Sequence, residues 1–208
     1  MNNEVLKDFS YGVYIVSTVC KDRPTGCVVN AIMQVTYDTV AISVHHDNFT
    51  NQCIKESGKF AVSILGVDVG ENIIPVFGFQ SGRNVDKFKN IDTIKIDGLD
   101  VISDSVGYVV CEVNDTLDTE THTIFLGKII DGELLKNQIP MTYAYYHAVK
   151  KGQSPKNAPT YQEKVVNDGR LAYRCKVCAY VYEGDITKEP DTYVCPICKQ
   201  PKSVFERI

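Results

Sequence analysis

The chain has 208 residues, 44% of them hydrophobic and 23% charged, enough for one mid-sized core and a small second unit. Its net charge of −4 gives no electrostatic reason to meet nucleic acid or an anionic membrane, and no apolar run reaches the ~20 residues that span a bilayer. The polar stretch from Met1 to Asp8 is unlike a signal peptide, so a cytoplasmic protein is expected, with Cys20, Cys27, Cys53 and Cys111 as buried thiols of a reducing compartment.

Residues 13–19, rich in β-branched and aromatic side chains, predict a strand; residues 21–26 predict a turn, and strand character resumes at Cys27. Further strands are predicted over 40–45, 60–65, 108–113 and 123–130, separated by polar loops. Strands joined mostly by turns favour an antiparallel barrel over a doubly wound sheet, although periodicity leaves a sandwich open. Helical pattern is sparse. One helix is predicted over 48–58, opening on a capping Asn or Thr and closing on Gly58, and a second over 142–151, with basic residues at its end. The expected fold class is therefore mainly β with a few helices.

No G-x-G-x-x-G or P-loop occurs, so a ligand of the large unit has to be bound by another route. The first turn of the helix at Asn48 offers Asn48, Thr50 and Asn51 beside free main-chain N–H groups, a sensible cradle for phosphate. A simply capped surface helix is the plainer alternative. His45 and His46 are neighbours in a strand and point to opposite faces, so they are not a metal pair. His147 is read as a packing or surface residue.

Composition shifts at Lys150: the stretch to Thr160 has two prolines and almost nothing apolar, which reads as a linker. The chain divides into a domain over 1–150, a linker over 151–170 and a small domain over 171–208. The last holds Cys175-Lys-Val-Cys178 and Cys195-Pro-Ile-Cys198. Two such tight turns present four sulfurs to one tetrahedral ion, a reading far better supported than disulfides or unrelated thiols. Spacing alone leaves zinc and iron open.

The flanking residues narrow the choice. Tyr180 to Gly184 after the first pair, Cys195-Pro196 opening the second, and Pro201-Lys202 with Phe205 closing the unit resemble a short rubredoxin domain of the kind that ends rubrerythrins, over residues 173–206. The resemblance implies one iron on Cys175, Cys178, Cys195 and Cys198, with zinc as its substitute, and one-electron transfer. It also implies a positive φ after the first pair, where Ala179 replaces the usual glycine.

Across residues 8 to 150, the blocks Thr25–Ala31, Val40–Thr50, Ser57–Leu65, Phe77–Phe88 and His122–Gly127 resemble in order and spacing the flavin reductase-like, split-barrel FMN-binding family. That resemblance implies FMN at the barrel rim near a homodimer interface. Thr25, Cys27, Val28, Asn30 and Ala31 would flank the ring and ribityl chain, and Asn48, Phe49, Thr50 and Asn51 the phosphate. Ser81, Gly82 and Arg83 would form a second flank, and His122 would lie on the nicotinamide side as a catalytic candidate. A hydrogen-bonded strand-end histidine is the plain alternative for His122.

The whole order of domains is similar to the high-molecular-weight rubredoxins of anaerobic bacteria. It implies an FMN-dependent NAD(P)H:rubredoxin-type oxidoreductase, with NADH or NADPH as donor and a redox protein such as a flavodiiron protein as acceptor. The rival expectation is a flavin reductase whose last domain is a structural zinc ribbon or docking module.

Overall fold

The computed structural model describes residues 5, 9–150, 152, 154, 155, 157–159, 171–178 and 180–208. Ala179 and most of the segment read as linker lie outside them. Seven antiparallel strands form the main sheet: β1 (Tyr14–Cys20), β2 (Arg23–Val29), β3 (Ile32–Thr36), β4 (Thr39–His45), β5 (Lys59–Leu65), β8 (Ser105–Asp118) and β9 (His122–Leu134). Their spatial order is β2-β1-β5-β8-β9-β4-β3. The two edge strands are thus consecutive in the chain, joined only through Asn30 and Ala31. A sheet with its edges so close must curl, and the result is a barrel split along the β2–β3 seam.

Period-two alternation places the cores. On β5, Phe60 and Val62 point into the barrel with Val16, Ile42, Val44, Ile54 and Phe125, whereas Ala61 packs outward against Leu99, Val101, Tyr108 and Val110. That outer layer includes the hairpin of β6 (Thr93–Ile96) and β7 (Leu99–Ile102). The turn into β2 is shorter than the sequence predicts. Lys21 and Asp22 both take positive φ, 48° and 65°, as the tight hairpin twist demands, and Pro24 is tolerated because β2 is an edge strand.

The predicted helices are present in shorter form. Helix α1 (Phe49–Ser57) ends on Gly58, whose φ of 68° lets its N–H reach Ile54 O. Helix α3 (Tyr143–Ala148) is capped by the Thr142 side chain, which accepts from Tyr145 N. Helix α2 (Ile73–Phe79) has no helical signature in the sequence; Pro75 stands in its first turn, where no N–H is needed, and burial of Ile73, Ile74, Phe77 and Phe79 holds it. Strands β3, β6 and β7 likewise lie outside the strands that the sequence predicts.

The C-terminal unit is a three-stranded sheet of β10 (Ala172–Cys175), β11 (Val181–Glu183) and β12 (Phe205–Arg207), in the order β11-β10-β12. Its core is the four cysteines and a cluster of rings, Tyr180 and Tyr193 lying edge-on to Phe205. Its metal-site residues share one apolar cluster with Ile74, Met141, Tyr143 and Tyr146 of the large domain. Among the described residues no helix is long and apolar enough to cross a membrane.

Candidate functional site

A cavity of about 290 Å³ lies at the barrel rim between β2, β4, α1 and the segment after α2. Of the residues expected to line a cofactor site, Cys27, Val28, Asn30, Asn48, Phe49, Thr50, Ser81, Gly82 and His122 are on its wall. Four stand behind it. Thr25 is buried beneath Gly82, where any side chain would collide with Thr25 Oγ1 and meet Phe49 Cδ1 at 3.2 Å. Asn51 is buried and donates from Nδ2 to Val44 O at 2.9 Å, tying α1 to β4. Ala31 lies on the seam, its carbonyl accepting from Ser43 N. Arg83 stacks on the Phe49 ring, 4.8 Å from its centroid.

At the α1 start the cavity wall carries Asp47, with cationic side chains behind it. Arg23, on the edge strand, donates to Gly82 O at 2.6 Å and lies 5.9 Å from the Phe49 ring, so two guanidinium groups flank the first turn of the helix. No acid occupies that turn. Positive side chains and the unsatisfied N–H groups of a helix start together suit an anion. Asn48 does not cap α1 with its side chain; its Oδ1 instead accepts from Asn157 Nδ2 at 3.2 Å.

Lys87 is the main wall residue that sequence reasoning missed. It is only 4% exposed, and its Nζ donates to Gly26 O at 2.8 Å and Phe77 O at 3.0 Å. Burial lowers its pKa to about 8. The available signal was its position in the Phe77–Phe88 block. Burial raises the neighbouring Cys27 thiol, keeping it protonated.

His122 lies on the same side as the start of α1, paired across the sheet with His45. Its Nδ1 is 2.8 Å from Thr121 Oγ1, and its ring meets His45 edge-on at 4.9 Å. Burial first, then His45, holds its pKa below the ordinary value, against a smaller opposing effect of the Asn157 main chain. Its Nε2 and Asn30 Nδ2 are buried polar atoms without hydrogen-bond partners among the described residues. Two such atoms on one cavity wall fit a ligand edged with hydrogen-bonding groups. His46 points away, its Nε2 3.4 Å from Asp118 Oδ1, as period two requires. His147 packs its ring against Tyr143 at 4.3 Å.

The metal ligands are assembled. The Sγ atoms of Cys175, Cys178, Cys195 and Cys198 all lie within 4.8 Å of one another, with Cys175–Cys198 at 3.6 Å and Cys178–Cys195 at 3.5 Å. A disulfide needs about 2 Å. Metal–sulfur bonds of about 2.3 Å in a tetrahedron give edges of about 3.8 Å, so the cage fits one ion. Contacts among the thiols lower the pKa of Cys175 and raise those of Cys178 and Cys198, so four thiolates together require a cation between them. Main-chain N–H groups of Cys178, Tyr180, Cys198 and Gln200 face Cys175, Cys178, Cys195 and Cys198 respectively. The two turns are thus built alike. Ala179, for which a positive φ was expected, lies outside the described residues; Lys199, at the same place in the second turn, has φ 57°.

The two sites meet. Val177, between the first two ligands, lies on the cavity wall, as do Pro155, Asn157, Ala158 and Pro159 of the segment read as linker.

Residues 6–154 match the family model of the flavin reductase like domain, and residues 173–206 that of the rubrerythrin, rubredoxin-like domain. Over both full lengths the chain is 36% identical to the high molecular weight rubredoxin of Moorella thermoacetica. The ferric-chelate reductase (NAD(P)H) of Archaeoglobus fulgidus is 35% identical over 78% of this chain and 99% of its own. Among solved structures, the NADH:FAD oxidoreductase of Streptomyces globisporus aligns with a TM-score of 0.62 at 27% identity, covering 66% of this chain and 84% of that one.

Proposed function

We propose, for a chain that belongs to the flavin reductase-like family and closes with a rubredoxin-like domain, that it passes electrons from NADH or NADPH through FMN to one iron and on to a redox protein. The observation that carries this reading is Val177: the loop holding two metal ligands forms part of the same cavity wall as β2 and α1. A flavin held there would supply the chemistry that links a two-electron hydride donor to a one-electron iron held by four thiolates.

The chain's own residues divide the remaining work. The first turn of α1, with Arg23 and Arg83 near it, would hold the phosphate of FMN. Residues Cys27 to Asn30 would flank the ring, with Asn30 Nδ2 donating to a ring carbonyl. Lys87 would set a positive charge against the side on which negative charge gathers during reduction. His122, kept neutral by burial, would orient the nicotinamide through Nε2. The acceptor is proposed as a flavodiiron protein.

Anaerobic absorption spectra of protein carrying its native metal test the relay. On adding NADH, flavin bands and a ferric-thiolate envelope should both bleach. Cys195→Ser should keep flavin bleaching and lose the envelope together with delivery to the acceptor. Zinc on the four cysteines of protein from its native host, with acceptor reduction unchanged in Cys195→Ser, would sink the iron relay and leave a flavin reductase with a docking ribbon.

A further inference from the structure

The segment between the domains does more than join them. Where Pro155 passes Gly78, a side chain at that glycine would meet Pro155 Cγ at 3.4 Å and Val28 at the same distance, so the segment starts on the β2 and α2 side of the cavity. Ser154 is fastened there by a hydrogen bond between its hydroxyl and that of Tyr143. Two residues on, Asn157 has reached the other side. Its Nδ2 donates to Asn48 Oδ1 at 3.2 Å, and its main chain lies close enough to His122 to affect that imidazole. The turn between is closed by Ala158 N donating to Pro155 O at 2.9 Å. The described residues Ser154, Pro155 and Asn157 to Pro159 therefore form a strap across the cavity, with Val177 beside it.

This arrangement has a steric consequence. The barrel supplies one side of the cavity, and the strap and the metal loop supply the other. A nicotinamide ring needs one open face of a bound flavin in order to place its hydride at bonding distance. His122, the residue best placed to meet that ring, lies beneath Asn157. Contact with the metal loop and contact with the donor thus compete for one face. We propose that Asn157 is a positioning residue that decides which partner meets the cavity: fastened to Asn48, it keeps strap and metal loop in place, and released, it admits the nicotinamide. The proposal rests on the reading of the cavity as a flavin site served by a nicotinamide donor. It makes reduction of the flavin and transfer to the metal alternate rather than coincide.

The test uses the full-length, flavin- and metal-loaded protein with NAD⁺ as a non-reducing probe. Asn157→Ala and, separately, Ser154→Ala should bind NAD⁺ about five-fold more tightly by calorimetry, the weight of one neutral hydrogen bond no longer broken on binding. In the unsubstituted protein, NAD⁺ should speed hydrogen exchange at Ala158 N–H. A strap that serves only as a wall predicts the reverse. Weaker or unchanged NAD⁺ binding in both variants, or slower exchange at Ala158 with NAD⁺ bound, overturns the proposal. If NADH fails to bleach the flavin in the unsubstituted protein, the donor reading falls and this inference with it. Bleaching combined with unchanged NAD⁺ affinity sinks this inference alone.

Discussion

Lys87 carries a largely buried amine, and two carbonyls take over part of the solvation it loses. With a folded pKa near 8 against an unfolded value of 10.5, the folded chain releases this proton first as pH rises. Between those values the unfolded state binds more protons at this site, so Lys87 should by itself add on the order of 3 kcal/mol to flavin-free protein from pH 8 to pH 10.5, against the opposite effect of the buried Cys53 and Cys111 thiols, pushed up to about 12. Lys87→Met should remove that gain, which urea titrations of both proteins across this pH range would reveal. Lys199 carries strain of another kind, a non-glycine side chain at φ 57°. Lys199→Gly should stabilise the metal domain by about 1 kcal/mol, read as a higher melting temperature with the metal spectrum unchanged. The sequence shows neither effect, because a lysine's letter does not say whether its amine is buried or its backbone left-handed.

Among the elements, the two cysteine turns and α1 are the ones whose chemistry is local. Each turn carries its ligands three residues apart and supplies its own N–H donors to sulfur, so the cage follows from spacing. The sheet of β10, β11 and β12 has too little apolar core to stand without the ion. Removing the metal with a chelator should therefore abolish amide protection over Ala172–Cys175 while β5 and β8 keep theirs, and hydrogen exchange by mass spectrometry distinguishes the two. Loss of protection in the barrel strands as well would mean that the domains fold as one unit. Helix α1 was legible through Asn48 and Gly58, but the use of the Asn48 side chain was not: it binds the strap instead of capping the helix. Helix α2 was illegible for an opposite reason. Its β-branched residues, proline and glycine argue against a helix, and only burial against the barrel decides it.

At the scale of the molecule, an open seam and an apolar exterior remain on the barrel. Met33, Val35 and Tyr37 on and beside the edge strand β3 are 62%, 44% and 97% exposed. Leu117 and Leu134, on the long strands β8 and β9, are also exposed. Such a run on an unpaired edge is a liability in a monomer, and we propose that a second copy covers it, giving the homodimer that the family resemblance implies. Light scattering should return twice the chain mass, and Tyr37→Lys with Met33→Glu should return a single mass with flavin binding weakened.

The sequence by itself determined the class of the fold and the cysteine cage, while part of the cavity wall was implied only by its family resemblance. Fold class and cage depend on short-range geometry: period two in strands, ligands three residues apart, a helix opening on Asn and closing on Gly. Only the tertiary structure decided what meets what. Asn157 and Asn48 stand 109 residues apart, and Lys87 reaches Gly26 across 61. Val177 enters the cavity from another domain. Contacts of that range are set by how the barrel curls and where the small domain packs, and these are summed effects of burial that no local pattern encodes.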